Sequence, residues 1–166
     1  MSADDDFIAS GLKYYAEALR TTAYFRRQIE QRLRLFVGQW PGSQRVVPEP
    51  AKMDISAAPF DSPGPWIVCW CPVHVDGGDA ALEVGIWWMA LDEVVAYASF
   101  THGPDWLRRA LDPRAGKGIR VEKSGAYRHF ICGLTGGDLE GAWGRLLEEL
   151  LVAVDRTRPP QGSTQS

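Results

Sequence analysis

The sequence predicts an α+β fold in which helices pack on one face of an antiparallel sheet of about five strands, in the order α-β-β-β-α-β-β-α. Three observations lead to this prediction. Residues 4–37 contain no proline and space their apolar side chains by three and four, which is typical of an amphipathic helix. Residues 66–100 contain strand-like segments separated by turn residues, and the segment after Asp138 returns to helical spacing.

The N-terminal segment predicts one long helix, or two helices with a bend near Thr21-Thr22. Its apolar residues follow spacings of three and four: Ile8, Leu12, Tyr15 and Leu19, then Phe25, Ile29, Leu33 and Phe36. The acidic triplet Asp4–Asp6 caps the start and suits the positive end of the helix dipole. Gly38 and Pro41 end the helix, and the proline-rich segment 41–65 predicts an extended connection with at most an edge strand.

The middle of the chain predicts a meander of three strands, at residues 66–75, 81–91 and 94–100. A hairpin turn, "DGGD" at residues 76–79, separates the first two, and a tight reversal at Asp92-Glu93 separates the second and third. Alternation in "WIVCWCPVHV" gives the first strand two largely apolar faces. We therefore expect it to be a central strand.

A short helix and a second hairpin are predicted next. Pro104 stands where a first helical position is expected, and Pro113 closes a helix of about two turns. Residues 119–123 and 126–134 then read as two strands around Ser124-Gly125.

The last helix is predicted to begin near Asp138 and to end before Pro159-Pro160. One face of it carries the apolar residues: Leu139, Ala142, Trp143, Leu146, Leu147, Leu150, Leu151 and Val154. We expect residues 1–158 to form a single domain and residues 159–166 to be a disordered tail.

Composition argues against nucleic-acid and membrane partners. A formal net charge of -3 and a pI of about 5.6 supply no positive field for a phosphate backbone. No segment approaches the roughly 18–20 apolar residues of a membrane span, and the acidic N-terminus lacks the features of a secretory signal. Three cysteines without framework spacing fit a reducing compartment. We therefore predict a cytoplasmic protein of bacterial type.

A metal site at Cys69, Cys71 and His74 has unfavourable predicted geometry. In a strand the two cysteines share a face about 6.6 Å apart, whereas the histidine points to the other face. Tetrahedral zinc needs its sulfur ligands about 3.8 Å apart. The sequence therefore favours buried apolar cysteines, and it predicts no metal and no cofactor.

A metal-dependent nuclease, or another hydrolase of restriction-like topology, is the enzymatic alternative because its core has a similar order of elements. Its candidate catalytic residues are Asp76, Glu83 and His102, with His74 as a further histidine. Such enzymes have Glu-x-Lys on a strand, and Glu83-Val84-Gly85 lacks the lysine. The sequence therefore favours a turn role for Asp76 and a solvent-facing Glu83.

Two surfaces are candidates for binding a protein partner. Adjacent tryptophans in a strand face opposite sides, so a sheet with helices on one face would expose one ring. The aromatic candidate surface comprises Trp70, Trp87, Trp88 and Tyr97. The basic candidate surface lies on the first helix and comprises Arg26, Arg27 and Arg34.

In the order of its elements, the chain resembles the secretion-chaperone-like fold, a family of small, acidic, often dimeric proteins that bind another protein. The resemblance covers residues 5–156 and carries no specific motif; the longer first helix and the 41–65 segment depart from the family pattern. It implies a non-catalytic protein-binding module, such as a chaperone, adaptor or immunity-type inhibitor, and a homodimer. The second alternative is a small-ligand-binding protein with an aromatic pocket between the sheet and the last helix.

Overall fold

A computed structural model of the chain describes residues 3–58, 65–90, 93–110, 118–124, 127–134 and 136–157. These parts contain three α-helices: α1 (Ala3–Gln39), α2 (Asp105–Ala110) and α3 (Leu139–Arg156). They also contain seven strands: β1 (Val46–Pro48), β2 (Asp54–Ala58), β3 (Trp66–Val75), β4 (Gly78–Ala90), β5 (Glu93–His102), β6 (Arg120–Ser124) and β7 (Tyr127–Gly133). The predicted α+β class is confirmed.

All seven strands join one antiparallel sheet. The order along the sheet is β1-β3-β4-β5-β7-β6, and β2 pairs with the same edge of β3 that β1 pairs with. The prediction of about five strands is therefore too low, because the 41–65 segment supplies two short edge strands. A 3₁₀ turn at Pro50–Lys52 separates them. Pro48 is tolerated in β1 because an edge strand uses only half of its backbone groups for hydrogen bonds to the neighbouring strand.

Several predicted boundaries shift, and some fall outside the described residues. α1 continues through Thr21-Thr22 without a break, and β4 and β5 are both longer than predicted. The β3–β4 hairpin turns at Asp76 and Gly77, whose φ angles of 52° and 81° are those of a two-residue turn with two left-handed positions. The expectations for residues 91–92, 111–117, 125–126 and 158–166 concern parts of the chain that the structure does not describe.

The main core lies between one face of the sheet and the helices. The C-terminal part of α1, together with α2 and α3, packs on this face, which receives the odd-numbered residues of β3 and the even-numbered residues of β4 and β5. Trp143 of α3 is fully buried and donates its indole N–H to the Gly85 carbonyl oxygen at 2.9 Å. α3 begins where predicted, because Asp138 accepts a hydrogen bond from the backbone N–H of Gly141.

The sheet is curved so that its other face is concave; we call this concave face the curl. Arg120 on edge strand β6 donates to Glu93 at 2.7 Å and lies 3.8 Å from the Met89 sulfur, although β6 and β4 are separated in the sheet by β7 and β5. A second, smaller core forms inside this curl from strand residues: Val68, Val95, Tyr97 and Ile131, with Trp66, Trp87 and Met89 packed against them.

Candidate functional site

Helix α1 is much longer than the part of it that packs on the sheet. Its first buried side chain is Ile29, followed by Leu33 and Val37. Residues 6–28 are exposed apart from the half-buried Ala16. At 1.5 Å per residue this exposed part spans roughly 35 Å. We call residues 6–28 the α1 arm.

The α1 arm carries an apolar stripe that the described parts of the chain leave exposed. Ile8, Leu12, Tyr15 and Leu19, which we call the arm seam, are spaced by four, three and four residues. Their exposed fractions range from 48% for Leu19 to 64% for Leu12 and Tyr15. The spacing is that of heptad a and d positions along one face; the same frame reaches Ile29 and Leu33, but Thr22 and Arg26 occupy the two positions in between, so the apolar seam ends at Leu19. Small residues flank the seam: Ala9, Gly11, Ala16, Ala18 and Ala23.

An apolar groove of about 550 Å³ lies between the α1 arm and the end of the sheet. Leu19, Phe25 and Arg26 line it from the helix, and Trp66 and Trp88 line it from the strands. The rings of Phe25 and Trp88 meet edge to face, with their centroids 6.1 Å apart. The groove therefore continues the arm seam onto the folded domain.

The structure does not bring the four residues of the aromatic candidate surface together. Trp87 and Trp88 face opposite sides of β4, as alternation predicts, but both are half-buried where we expected one exposed ring. Trp87 packs inside the curl, and Trp88 lines the groove. Tyr97 is only 8% exposed, and its burial raises the pKa of its hydroxyl well above the usual value. Trp70 lines a separate cavity.

The basic candidate residues are exposed on α1, and one of them borders the groove. Arg26 pairs with Glu30 at 2.5 Å, and Arg27 donates to the Ala23 carbonyl oxygen at 3.3 Å. Arg34 lies two turns beyond Arg26 and so near the same face. Arg26 is therefore the basic residue that an occupant of the groove would meet.

Cys69, Cys71 and His74 do not converge. Both cysteines are buried on the helix-covered face, and burial raises the pKa of Cys69 to about 12 and also raises that of Cys71, so both thiols are protonated. His74 lies on the other face, 3.0 Å from Asp79 and 3.6 Å from Glu49. Within the described ranges, no three His, Cys, Asp or Glu side chains are grouped closely enough to hold a metal ion.

Of the three candidate catalytic residues, Asp76 lies apart from Glu83, whereas His102 is near enough to Glu83 for its charge to offset part of the burial-induced rise in the pKa of that carboxyl. Asp76 sits in the β3–β4 turn and accepts two hydrogen bonds from Arg45, at 2.9 and 2.7 Å, which lower its pKa. Arg45 also donates to the carbonyl oxygens of Val154 and Thr157, so this contact fastens the end of α3 to the turn. Glu83 lies seven residues further along the hairpin, roughly 20 Å away at strand rise.

His102 is exposed at the end of β5 and borders a more polar cavity. This cavity has a volume of about 400 Å³, and it brings His102 together with Trp70 and His74. Neither Asp76 nor Glu83 lines it. The candidate catalytic residues therefore do not share a common pocket.

Glu83 is half-buried inside the curl, where we expected a solvent-facing carboxylate. It lies opposite Ser99 of β5, whose buried hydroxyl finds no hydrogen-bond partner among the described residues. The Nδ1 atom of His129 is likewise buried and unpartnered there, and the Thr101 hydroxyl lies near Glu83 without hydrogen-bond geometry. Polar alternation in "YASFT", residues 97–101, was the sequence signal for these groups.

Replacing Glu83 with glutamine is expected to stabilise the protein at neutral pH. Burial raises the pKa of Glu83 above its ordinary value of 4.5, and the charge of His102 offsets part of the rise. The folded state therefore holds its proton more tightly, and the free energy of unfolding falls as pH rises from about 4.5 through the raised pKa. Urea unfolding between pH 4 and 8 should show a flatter pH dependence for Glu83→Gln, and an unchanged curve would contradict the burial.

None of the described helices is apolar over a long enough stretch to cross a membrane. Comparison of the chain with known family models, with curated proteins and with solved structures gives no match.

Proposed function

We propose that this protein is a non-catalytic protein-binding module, of the chaperone, adaptor or inhibitor type, that binds an amphipathic helix along the α1 arm. The observation that carries the proposal is the exposed arm seam and its continuation into the groove at Trp66 and Trp88. The resemblance in element order to secretion-chaperone-like proteins supports the same class.

The exposed apolar area of the α1 arm is comparable to the largest patches found on monomeric proteins, which are often functional. Aromatic side chains carry about 150–250 Å² each, so Tyr15 and Phe25 together with the three aliphatic seam residues expose several hundred Å². Contiguous apolar patches of that size mark interaction sites. Helices also draw most of their stability from packing of their apolar face, and among the described residues the seam side chains stay about half or more exposed, whereas Phe25 of the same arm meets Trp88. A partner would supply packing for the seam side chains.

A helix is the occupant that this surface fits best. The arm seam repeats at three and four residues, the spacing at which two helices interlock side chains. The small residues beside the seam allow a second backbone to approach closely. Arg26 borders the groove beside its own partner Glu30, and a guanidinium can pair with a further carboxylate, so this end of the groove favours acidic residues on the partner.

Parallel affinity purifications from the native host test this proposal. The baits are the wild-type chain, Leu19→Glu in the seam, and Tyr14→Glu as a control; Tyr14 is 70% exposed and lies outside the seam. We expect wild type and Tyr14→Glu to retain the same partner equally. Leu19→Glu should retain at least about 10-fold less of it, because the new carboxylate would be buried in the contact.

The partner is then identified, and the helix that binds is titrated as a synthetic peptide against the same three chains by calorimetry. A peptide that loses affinity for Leu19→Glu but not for Tyr14→Glu supports the proposal. The comparison includes a second, differently tagged copy of the chain among the proteins that can be retained. If all three baits retain the same proteins to the same extent, the proposal is overturned.

A further inference from the structure

We infer that the helix bound along the α1 arm is the α1 arm of a second copy of this protein, and that the two arms pair antiparallel in a symmetric dimer. This inference rests on the proposed function, because it names the partner of the same surface. A two-fold dimer requires a patch that complements itself.

The arm seam is self-complementary in one antiparallel register. When the two arms cross at a point between Lys13 and Tyr14, Ile8 lies opposite Leu19 of the second copy, and Leu12 lies opposite Tyr15. Every seam residue then meets an apolar residue, and by symmetry each pair occurs twice. The flanking alanines and Gly11 permit close approach along the whole contact.

Charge along α1 favours the antiparallel direction over the parallel one. The helix begins with Asp4–Asp6, whereas Arg20, Arg26 and Arg27 lie at the other end of the arm. In the register above, Asp6 lies opposite Thr21 of the second copy, so the acidic start of one arm runs beside the arginine-bearing end of the other. A parallel pair would place the two acidic triplets side by side, which is repulsive.

The groove receives the start of the second arm in the same register. Leu19 lines the groove and lies opposite Ile8 of the second copy, so the neighbouring Phe7 of that copy is placed at the groove mouth. Phe7 is the most exposed of the large apolar residues in the chain's described parts, at 79%. The dimer thus covers both copies of the seam and places an apolar side chain at the mouth of each of the two grooves.

Sedimentation equilibrium of the purified full chain, over about 1 to 200 µM, tests the assembly. We expect a dimer for wild type, a dissociation constant raised at least about 100-fold for Leu12→Glu, and a change within about 3-fold for Tyr14→Glu. Both positions are exposed, so neither substitution disturbs the core. Circular dichroism checks that each variant is folded.

Disulfide trapping tests the direction of the pair. Copies carrying Ile8→Cys and copies carrying Leu19→Cys, with different tags, should form a mixed disulfide on oxidation. Two copies of Ile8→Cys should not link to each other, because positions 8 and 8 lie about 16 Å apart in the antiparallel register and a disulfide needs Cα atoms within about 7 Å. The native cysteines are buried and do not compete. Efficient linkage of Ile8→Cys to itself would overturn the antiparallel arrangement.

The outcomes separate this inference from the proposed function. A wild-type chain that stays monomeric at 200 µM overturns the dimer, and the proposed function still stands if a different protein depends on Leu19 for binding. If no chain of any kind binds in a seam-dependent way, both fail.

Discussion

Replacing Gly85 with alanine is expected to cost about 3 kcal/mol or more of the free energy of unfolding, a large share of the roughly 5–15 kcal/mol that stabilises a typical domain. A Cβ atom at position 85 would lie 2.2 Å from the Ile67 carbonyl oxygen and 2.9 Å from the Val68 Cα atom. Both are backbone atoms of the central strand β3, so neither can rotate away. Relief requires β3 and β4 to separate, and that movement also pulls the Gly85 carbonyl from the Trp143 indole.

Gly144→Ala is the matched control. Gly144 lies inside α3, and a Cβ atom there would meet nothing within 4 Å. Alanine in place of a mid-helix glycine usually stabilises by about 0.5–1 kcal/mol, because it reduces the entropy of the unfolded chain. Urea unfolding followed by circular dichroism measures both variants. A Gly85→Ala chain within 1 kcal/mol of wild type would contradict the close strand contact.

Elements whose pattern is local were predictable from the sequence. The apolar face of α3 and its cap at Asp138 lie within one helical segment, and the structure confirms both. The two apolar faces of β3 follow from alternation, and the structure places β3 between the edge strands and β4 with a core cluster on each face. In these cases the residues that form the pattern are close neighbours in the chain.

Features that depend on distant parts of the chain were missed. β1 and β2 are short and contain or adjoin prolines, and they are strands because the edge of β3 offers them hydrogen bonds. The apolar spacing of α1 runs from Ile8 to Leu19 and again from Phe25 to Phe36, so nothing local shows that only the part from Ile29 onward is buried against the sheet. The arm exists because the helix is longer than the surface beneath it.

The candidate site was foreseen only in part for the same reason. The sequence predicts Trp88 and Arg26 as surface residues, and the structure lines one groove with both, but the spacing of the arm seam predicts only an amphipathic helix and not an exposed face. Tyr97 and Trp87 were expected on an open face, and the curl of the sheet encloses them. Curvature depends on packing between strands that are far apart in sequence.

Replacing Trp143 with phenylalanine is expected to lower the free energy of unfolding by about 2–4 kcal/mol. The smaller ring leaves a cavity at a position with no exposure, and it leaves the buried Gly85 carbonyl without its donor. Leu150→Met, a volume-conserving change at an equally buried position of α3, should cost less than about 1.5 kcal/mol and serves as the control.

Trp143 also anchors the base of α1, since its ring lies 5.5 Å from that of Phe36. The α1 arm is a continuation of the same helix, so its position over Trp66 and Trp88 depends on how firmly this base is held. We therefore expect the dissociation constant of the proposed dimer to rise several-fold for Trp143→Phe, measured where this variant is still fully folded. Leu150→Met should leave the dissociation constant unchanged. Urea unfolding and sedimentation equilibrium measure the two effects separately. If Trp143→Phe loses stability but associates as wild type does, Trp143 has only a packing role in the core. Ile29 and Leu33 would then be the residues that orient the α1 arm.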